Sequence, residues 1–249
     1  MENEDILKVY GCLRSGNHWL MEVLYENFYK GRVNLARRIL DPDKEEVLRY
    51  HKHSHYDLFG GHRTPQYAVL VNKKHGFKPI YIYRDGRDML VSLWRDPKFH
   101  RTERWERAEG TKLPEVHRRP FDEWLRRPVS WGMWAQSRPQ KGDMPPPMHW
   151  YLYCRKWLHP KNHPTRTGIL QIRYEDLYYK FVQTMQEITG FYKLDPIHKK
   201  WVRPKKPSGQ FAYKARPGEW GNHFSDKDLE YFYSIVPKNF PCLYQGGHE

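Results

Sequence analysis

The chain has 249 residues, enough at roughly 100–200 residues per domain for one large α/β domain with its own core; its mean hydropathy is low, −0.94, but 10 Trp, 18 Tyr and 11 Phe supply buriable surface that a disordered chain lacks. No eighteen-residue apolar run and an acidic start (Glu2, Glu4, Asp5) exclude a membrane span and a secretory signal, and three cysteines without CxxC spacing exclude a disulfide scaffold or a cysteine zinc site, so a cytoplasmic protein is expected. Residues 95–161 hold 15 cationic against 8 anionic side chains and residues 193–216 hold 8 against 1, which is the whole of the +14 net charge and suits an anionic ligand, a nucleic acid or an acidic polymer.

In chain order, residues 6–10 read as a short buried strand, Gly11 to Asn17 as a polar turn, and Trp19, Leu20, Val23, Leu24 and Phe28 recur at helical spacing. His51, His53 and His55 follow at alternate positions, on one face if the segment is a strand. A second strand at 79–83 leads into the turn Arg84-Asp85-Gly86-Arg87 and a helix pattern of Met89, Leu90, Leu93 and Trp94. Residues 95–165 turn Trp- and Pro-rich and basic, reading as an elaborated cap with one helix around Trp150, Tyr153 and Trp157. A third strand at 169–172 passes through Tyr174-Glu175-Asp176 into a helix bearing Phe181, Val182, Met185 and Ile188. Ser225-Asp226-Lys227-Asp228 resembles a helix cap, with Leu229, Phe232, Tyr233 and Val236 on one face behind it. Repeated strand–turn–helix units predict an α/β fold, a single domain over 1–249 whose central parallel sheet is flanked by helices, with the cap at approximately 95–165.

Gly11-Cys12-Leu13-Arg14-Ser15-Gly16-Asn17-His18 has the GxxxxG spacing of a phosphate-binding loop between strand and helix, where backbone N–H groups face an anion. A nucleoside-triphosphate loop would continue with Lys and a magnesium-binding Ser or Thr. Asn17 and His18 stand there instead, and the cation has moved to Arg14, which disfavours a P-loop kinase while keeping an anion site. An ordinary βα turn is the plain alternative.

Arg14-Ser15-Gly16-Asn17-His18-Trp19 resembles the phosphosulfate loop of sulfotransferases that use 3′-phosphoadenosine 5′-phosphosulfate (PAPS). Arg84-Asp85-Gly86-Arg87-Asp88 through Ser92 is similar to that family's 3′-phosphate signature, Arg173-Tyr174-Glu175-Asp176-Leu177 to its RYEDL segment, and Arg216-Pro217-Gly218-Glu219-Trp220 with Asn222 and Phe224 to its C-terminal loop. The four motifs run in family order from residue 9 to 224. The resemblance implies the P-loop-like sulfotransferase fold, PAPS as co-substrate and PAP as product, no metal, and a nucleotide site of Arg14, Ser15, Gly16, Asn17, His18, Trp19, Arg84, Ser92, Tyr174, Lys214, Arg216, Pro217 and Gly218. It puts Trp19 and Tyr174 beside the adenine, although core packing accounts for either ring equally well, and it leaves Glu175 and Asp176 as structural carboxylates at a helix start.

For the histidine segment three readings stand: a metal site, a solvated cluster, or, through the family's Lys-Thr-His, the base that deprotonates the acceptor. His55 is the expected base, with His53 as the alternative and Arg14 as the electrostatic partner of the leaving oxygen. The acceptor is expected to be a small molecule or carbohydrate. Trp105, Trp124, Trp131, Trp134 and Trp150 could line its pocket or simply pack the cap. The family's C-terminal dimer segment is missing, which implies a monomer or weak dimer. The competing class, a basic aromatic nucleic-acid binder, explains the composition but none of the spacing.

Overall fold

The computed structural model describes residues 7–30, 59–62, 64–95, 120–128, 144–204 and 216–245. Four parallel strands, β1 (Leu7–Gly11), β2 (Phe59–Gly61), β3 (Lys78–Tyr83) and β4 (Leu170–Arg173), form one sheet in the order β2-β1-β3-β4. β1 therefore lies between β2 on one side and β3 on the other, and the carboxyl end of such a reversal in strand order is where an open α/β sheet offers a crevice to ligands.

Alternation along the strands sorts side chains between two cores. Leu7, Val9, Ile80, Ile82, Leu170 and Ile172 face α1 (Asn17–Leu24), α7 (Tyr174–Tyr179) and α8 (Phe181–Tyr192). Tyr10 and Tyr81 face the opposite layer of α3 (Gly86–Trp94), α4 (Phe121–Arg126), α5 (Pro146–Trp157) and α9 (Asp226–Ile235). There the Tyr81 ring lies flat on Trp157, centroids 4.3 Å apart and planes 3° from parallel. Trp124 and Trp150 are buried in this second core, so of the two readings open for them they take the packing one. Trp105, Trp131 and Trp134 lie outside the described residues.

The helix starts follow local chemistry. Asp85 caps α3 by accepting from the Arg87 N–H, and Ser225 and Asp228 form a reciprocal capping box on α9. Thr64 Oγ1 accepts from the Tyr67 N–H ahead of α2 (Pro65–His75), with Pro65 at the first helical position, where its missing donor costs nothing. The β2 strand is absent from the sequence reading for a physical reason: Phe59-Gly60-Gly61 offers two glycines to a three-residue strand and no alternation to detect. Among the described residues no helix is long and apolar enough to cross a membrane.

Candidate functional site

The segments that carry the four sequence motifs meet at the carboxyl ends of the strands. After β1 the chain turns with Arg14 at φ 61 and Gly16 at φ 94, left-handed conformations that are costly for most residues and free for glycine. The Ser15 N–H closes the turn on the Cys12 carbonyl at 3.2 Å. α1 then begins with no side-chain cap and no acidic residue in its first turn, so its first N–H groups remain directed at the loop, the arrangement that favours an anion. Ser15 is wholly buried and its Oγ has no hydrogen-bond partner among the described residues. Asn17 is buried, donating to the Cys12 carbonyl at 3.4 Å; His18 is half-buried.

Gly16 is required by its neighbour as well as by its dihedral. A Cβ there would lie 2.4 Å from Cδ2 of Tyr174, so the ring at the end of β4 rests directly on the loop. Tyr174 is buried, packs edge-on against Trp19 at 5.5 Å, and has its phenol pushed up to about 12, chiefly by burial. The Arg84 guanidinium lies 4.6 Å over the same ring. Tyr174 thus joins the loop after β1 to the cation after β3.

Arg84 is only 2% exposed, and its Nε has no hydrogen-bond partner among the described residues. The Asp88 and Glu175 carboxylates and the Tyr174 ring face its charge, but a buried guanidinium nitrogen without an acceptor is costly, and an anion is the partner that would satisfy it. Ser92 is buried on α3. Arg87, three residues after Arg84, is spent internally: Nη2 and Nε grip Asp85 at 2.5 and 3.0 Å, Nη1 donates to the Tyr233 hydroxyl at 3.0 Å, and the plane stacks 4.0 Å over Trp220.

Two carboxylates lock the remaining segments to this turn. Glu175, wholly buried at the start of α7, accepts from the Asp85 N–H at 3.0 Å, and burial pushes its carboxyl up to about 7 against the opposing pull of Arg84. Asp88 accepts from the Gly218 N–H at 2.7 Å and the Trp220 N–H at 2.9 Å, and burial raises its carboxyl above the usual Asp value. Asp88 therefore holds the 216–220 turn, where Arg216 is exposed, Pro217 buried and Gly218 at φ 87, against the first turn of α3. Lys214 lies outside the described residues.

His53 and His55 also lie outside the described residues, but the structure supplies a histidine that the sequence reading passed over. β2 ends at Gly61, and its pairing with β1 shifts register between Val9 and Tyr10, bringing His62 beside the start of the loop. Its Nδ1 is 2.6 Å from the Gly11 carbonyl oxygen. A carbonyl only accepts, so in this contact Nδ1 carries the proton and Nε2 is the proton-accepting atom of the neutral ring. The signal available in sequence was a histidine just ahead of the helix start Thr64-Pro65.

Arg203 is a second addition, from the basic 193–216 segment. Asn27, in a π-helical turn Tyr25–Tyr29 that prolongs α1, pins that segment by accepting from the Val202 N–H and donating to its carbonyl, at 2.8 and 2.7 Å. The exposed Arg203 guanidinium then sits over Trp19 at 5.5 Å and Tyr178 at 5.2 Å.

Comparison with known proteins gives the family and the fold. The family model described as "Sulfotransferase domain" matches residues 5–241. Among solved structures the chain is similar to mouse sulfotransferase SULT7A1 complexed with PAP, at 19% identity and a TM-score of 0.53, covering 94% of this chain and 84% of that one. No curated protein sequence gives a significant match.

Proposed function

The chain belongs to the sulfotransferase domain family, and from that premise we propose that it moves the sulfuryl group of PAPS to a hydroxyl or amine of a small-molecule or carbohydrate acceptor and releases PAP. The observation that carries this reading is Arg84: a buried guanidinium whose Nε has no acceptor, at the strand end nearest an anion-type loop, is placed to receive the 3′-phosphate with paired charge-assisted donors. The mouse structure cited above holds PAP, which supports the same nucleotide here.

Each residue's part follows from its place. The Arg14 side chain and the N–H groups of residues 16–18 would stabilise the negative charge that develops on the leaving phosphate oxygen. Arg14 acts by charge alone, since a guanidinium does not give up its proton in this pH range. Ser15 Oγ, buried without a partner, is a ready donor to a phosphate oxygen. Trp19, Tyr174 and Arg203 offer two rings and a planar cation to a purine. His62 Nε2 would accept the proton of the attacking acceptor while the Gly11 carbonyl holds the ring's tautomer; His55 and His53 remain the alternatives from sequence. The three cysteines are buried free thiols, which fits the reducing cytoplasm proposed as the site of action.

The test is thermal. PAP at about 100 times its dissociation constant should stabilise the protein by about 2.7 kcal/mol, and PAP should be released when PAPS is supplied with a competent acceptor. A melting temperature indifferent to PAP but raised by an oligonucleotide, with a steep salt dependence, would replace this reading with nucleic-acid binding.

A further inference from the structure

Glu175 has a chemical position that sulfuryl transfer as laid out above does not use. It is wholly buried, its Oε1 accepts from the Asp85 N–H, and its Oε2 has no hydrogen-bond partner among the described residues. The groups facing it come from each element around it. Arg84 and Asp85 stand on the turn after β3, Arg173 and Tyr174 on its own strand-to-helix junction, Tyr179 on α7, and Cys242 on the C-terminal segment. Arg84 is the cation whose field most offsets burial of the Glu175 charge, and it also faces the buried Asp88 carboxylate on α3, which stays bonded to the Gly218 and Trp220 N–H groups. A ligand anion that draws on the same guanidinium removes that offset.

We propose that Glu175 is a positioning residue whose Oε2 takes up one proton from solvent when the nucleotide 3′-phosphate engages Arg84, so that the phosphate does not share that guanidinium with an ionised Glu175. The inference rests on the donor reading above. In the free protein the carboxylate balances Arg84 while its other oxygen fixes the turn through the Asp85 N–H. In the complex the neutral acid keeps the Asp85 contact and releases Arg84 to the phosphate. The chemistry is carboxylate plus proton giving carboxylic acid, with no other reactant. Burial already holds this carboxyl near 7, and an added anion can only raise it further. Binding that consumes a proton must weaken as pH rises.

Calorimetric titration with PAP between pH 7.5 and 8.5 is the experiment, because a phosphate monoester with its second pKa near ~6 is already dianionic there. Wild-type affinity should fall by up to about tenfold per pH unit, the limit for one proton. Glu175→Gln, which keeps an oxygen for the Asp85 N–H, should flatten that dependence. A Glu175→Gln protein with the wild-type slope overturns the inference and assigns the proton to an imidazole such as His62 or His18. A second measurement needs no variant: in two buffers of different ionisation enthalpy, wild-type protein should take up more protons with PAP than with 5′-AMP, which lacks the 3′-phosphate. Equal uptake overturns the inference while leaving the donor reading intact, whereas failure of wild-type protein to bind PAP overturns both.

Discussion

Arg84 and Arg87 stand three residues apart on one turn, both buried, and the molecule uses them in opposite ways. Around Arg87 almost every valence is filled, by Asp85, the Tyr233 hydroxyl, the Tyr244 carbonyl and the face of Trp220. Around Arg84 valences are left open: its own Nε, Glu175 Oε2 and, in the neighbouring loop, Ser15 Oγ. Native proteins rarely leave buried polar atoms unmet without a use. The satisfied region knits the C-terminal segment onto α3 and belongs to stability. The unsatisfied region, at the carboxyl ends of the strands, is the one proposed for the ligand.

That division can be broken by mutation, and the largest effect should come from the unsatisfied side. His62→Ala should lower turnover by roughly 10²–10⁴-fold, the value of a positioned general base, with little change in melting temperature or PAP affinity. His55→Ala and His53→Ala made alongside identify the base: loss of turnover in one of them with full activity in His62→Ala would move the role there.

Arg87→Ala should strike stability instead. It leaves the Asp85 carboxylate, 1% exposed, buried without its cation, a defect of about 3–5 kcal/mol that denaturant unfolding will read. A well-folded Arg87→Ala with specifically weakened nucleotide binding would erase the distinction between the two arginines. Arg84→Ala is the counterpart: about 1.5–3 kcal/mol lost from PAP binding, the worth of hydrogen bonds to a charged group, with a smaller change in stability than Arg87→Ala. Equal loss for PAP and 5′-AMP would show that Arg84 does not serve the 3′-phosphate.

The smallest effect should come from a pair on the satisfied side whose arginine is open to solvent. Arg126 grips Asp228 at 2.5 Å with its own side chain 36% exposed, and the buried Asp228 keeps the N–H and hydroxyl bonds from Ser225 without it, so Arg126→Ala should cost about 1 kcal/mol. Burial pushes the Asp228 carboxyl up, yet hydrogen bonds from Ser225 and Arg126 outweigh it and hold the group below its ordinary value. The stability it lends is therefore present above the usual Asp pKa and lost as pH falls through the lower folded value. Unfolding titrations of wild-type and Arg126→Ala proteins should converge at acid pH; curves that stay parallel would deny the pair any part in stability.

Local patterning determined much of this protein. Three strand–turn–helix units, the loop from Gly11 to His18, and the placement of Arg84 and Tyr174 at strand ends are all written within ten or so residues of one another, where hydrophobic period and turn chemistry act. The capping box at Ser225 is equally local. Only the tertiary structure could decide matters that depend on distant segments. β2 exists because β1 offers it an edge, not because Phe59-Gly60-Gly61 prefers to be extended, and His62 gains its place through that pairing. α5 reads as cap by composition, yet Trp150 and Trp157 are core because the sheet presents Tyr10 and Tyr81 to them. Glu175 reads as a carboxylate at a helix start, and it is one. Its raised proton affinity comes from burial beside residues some ninety positions away in the chain, and desolvation is a property of the folded surroundings, which no stretch of sequence carries by itself.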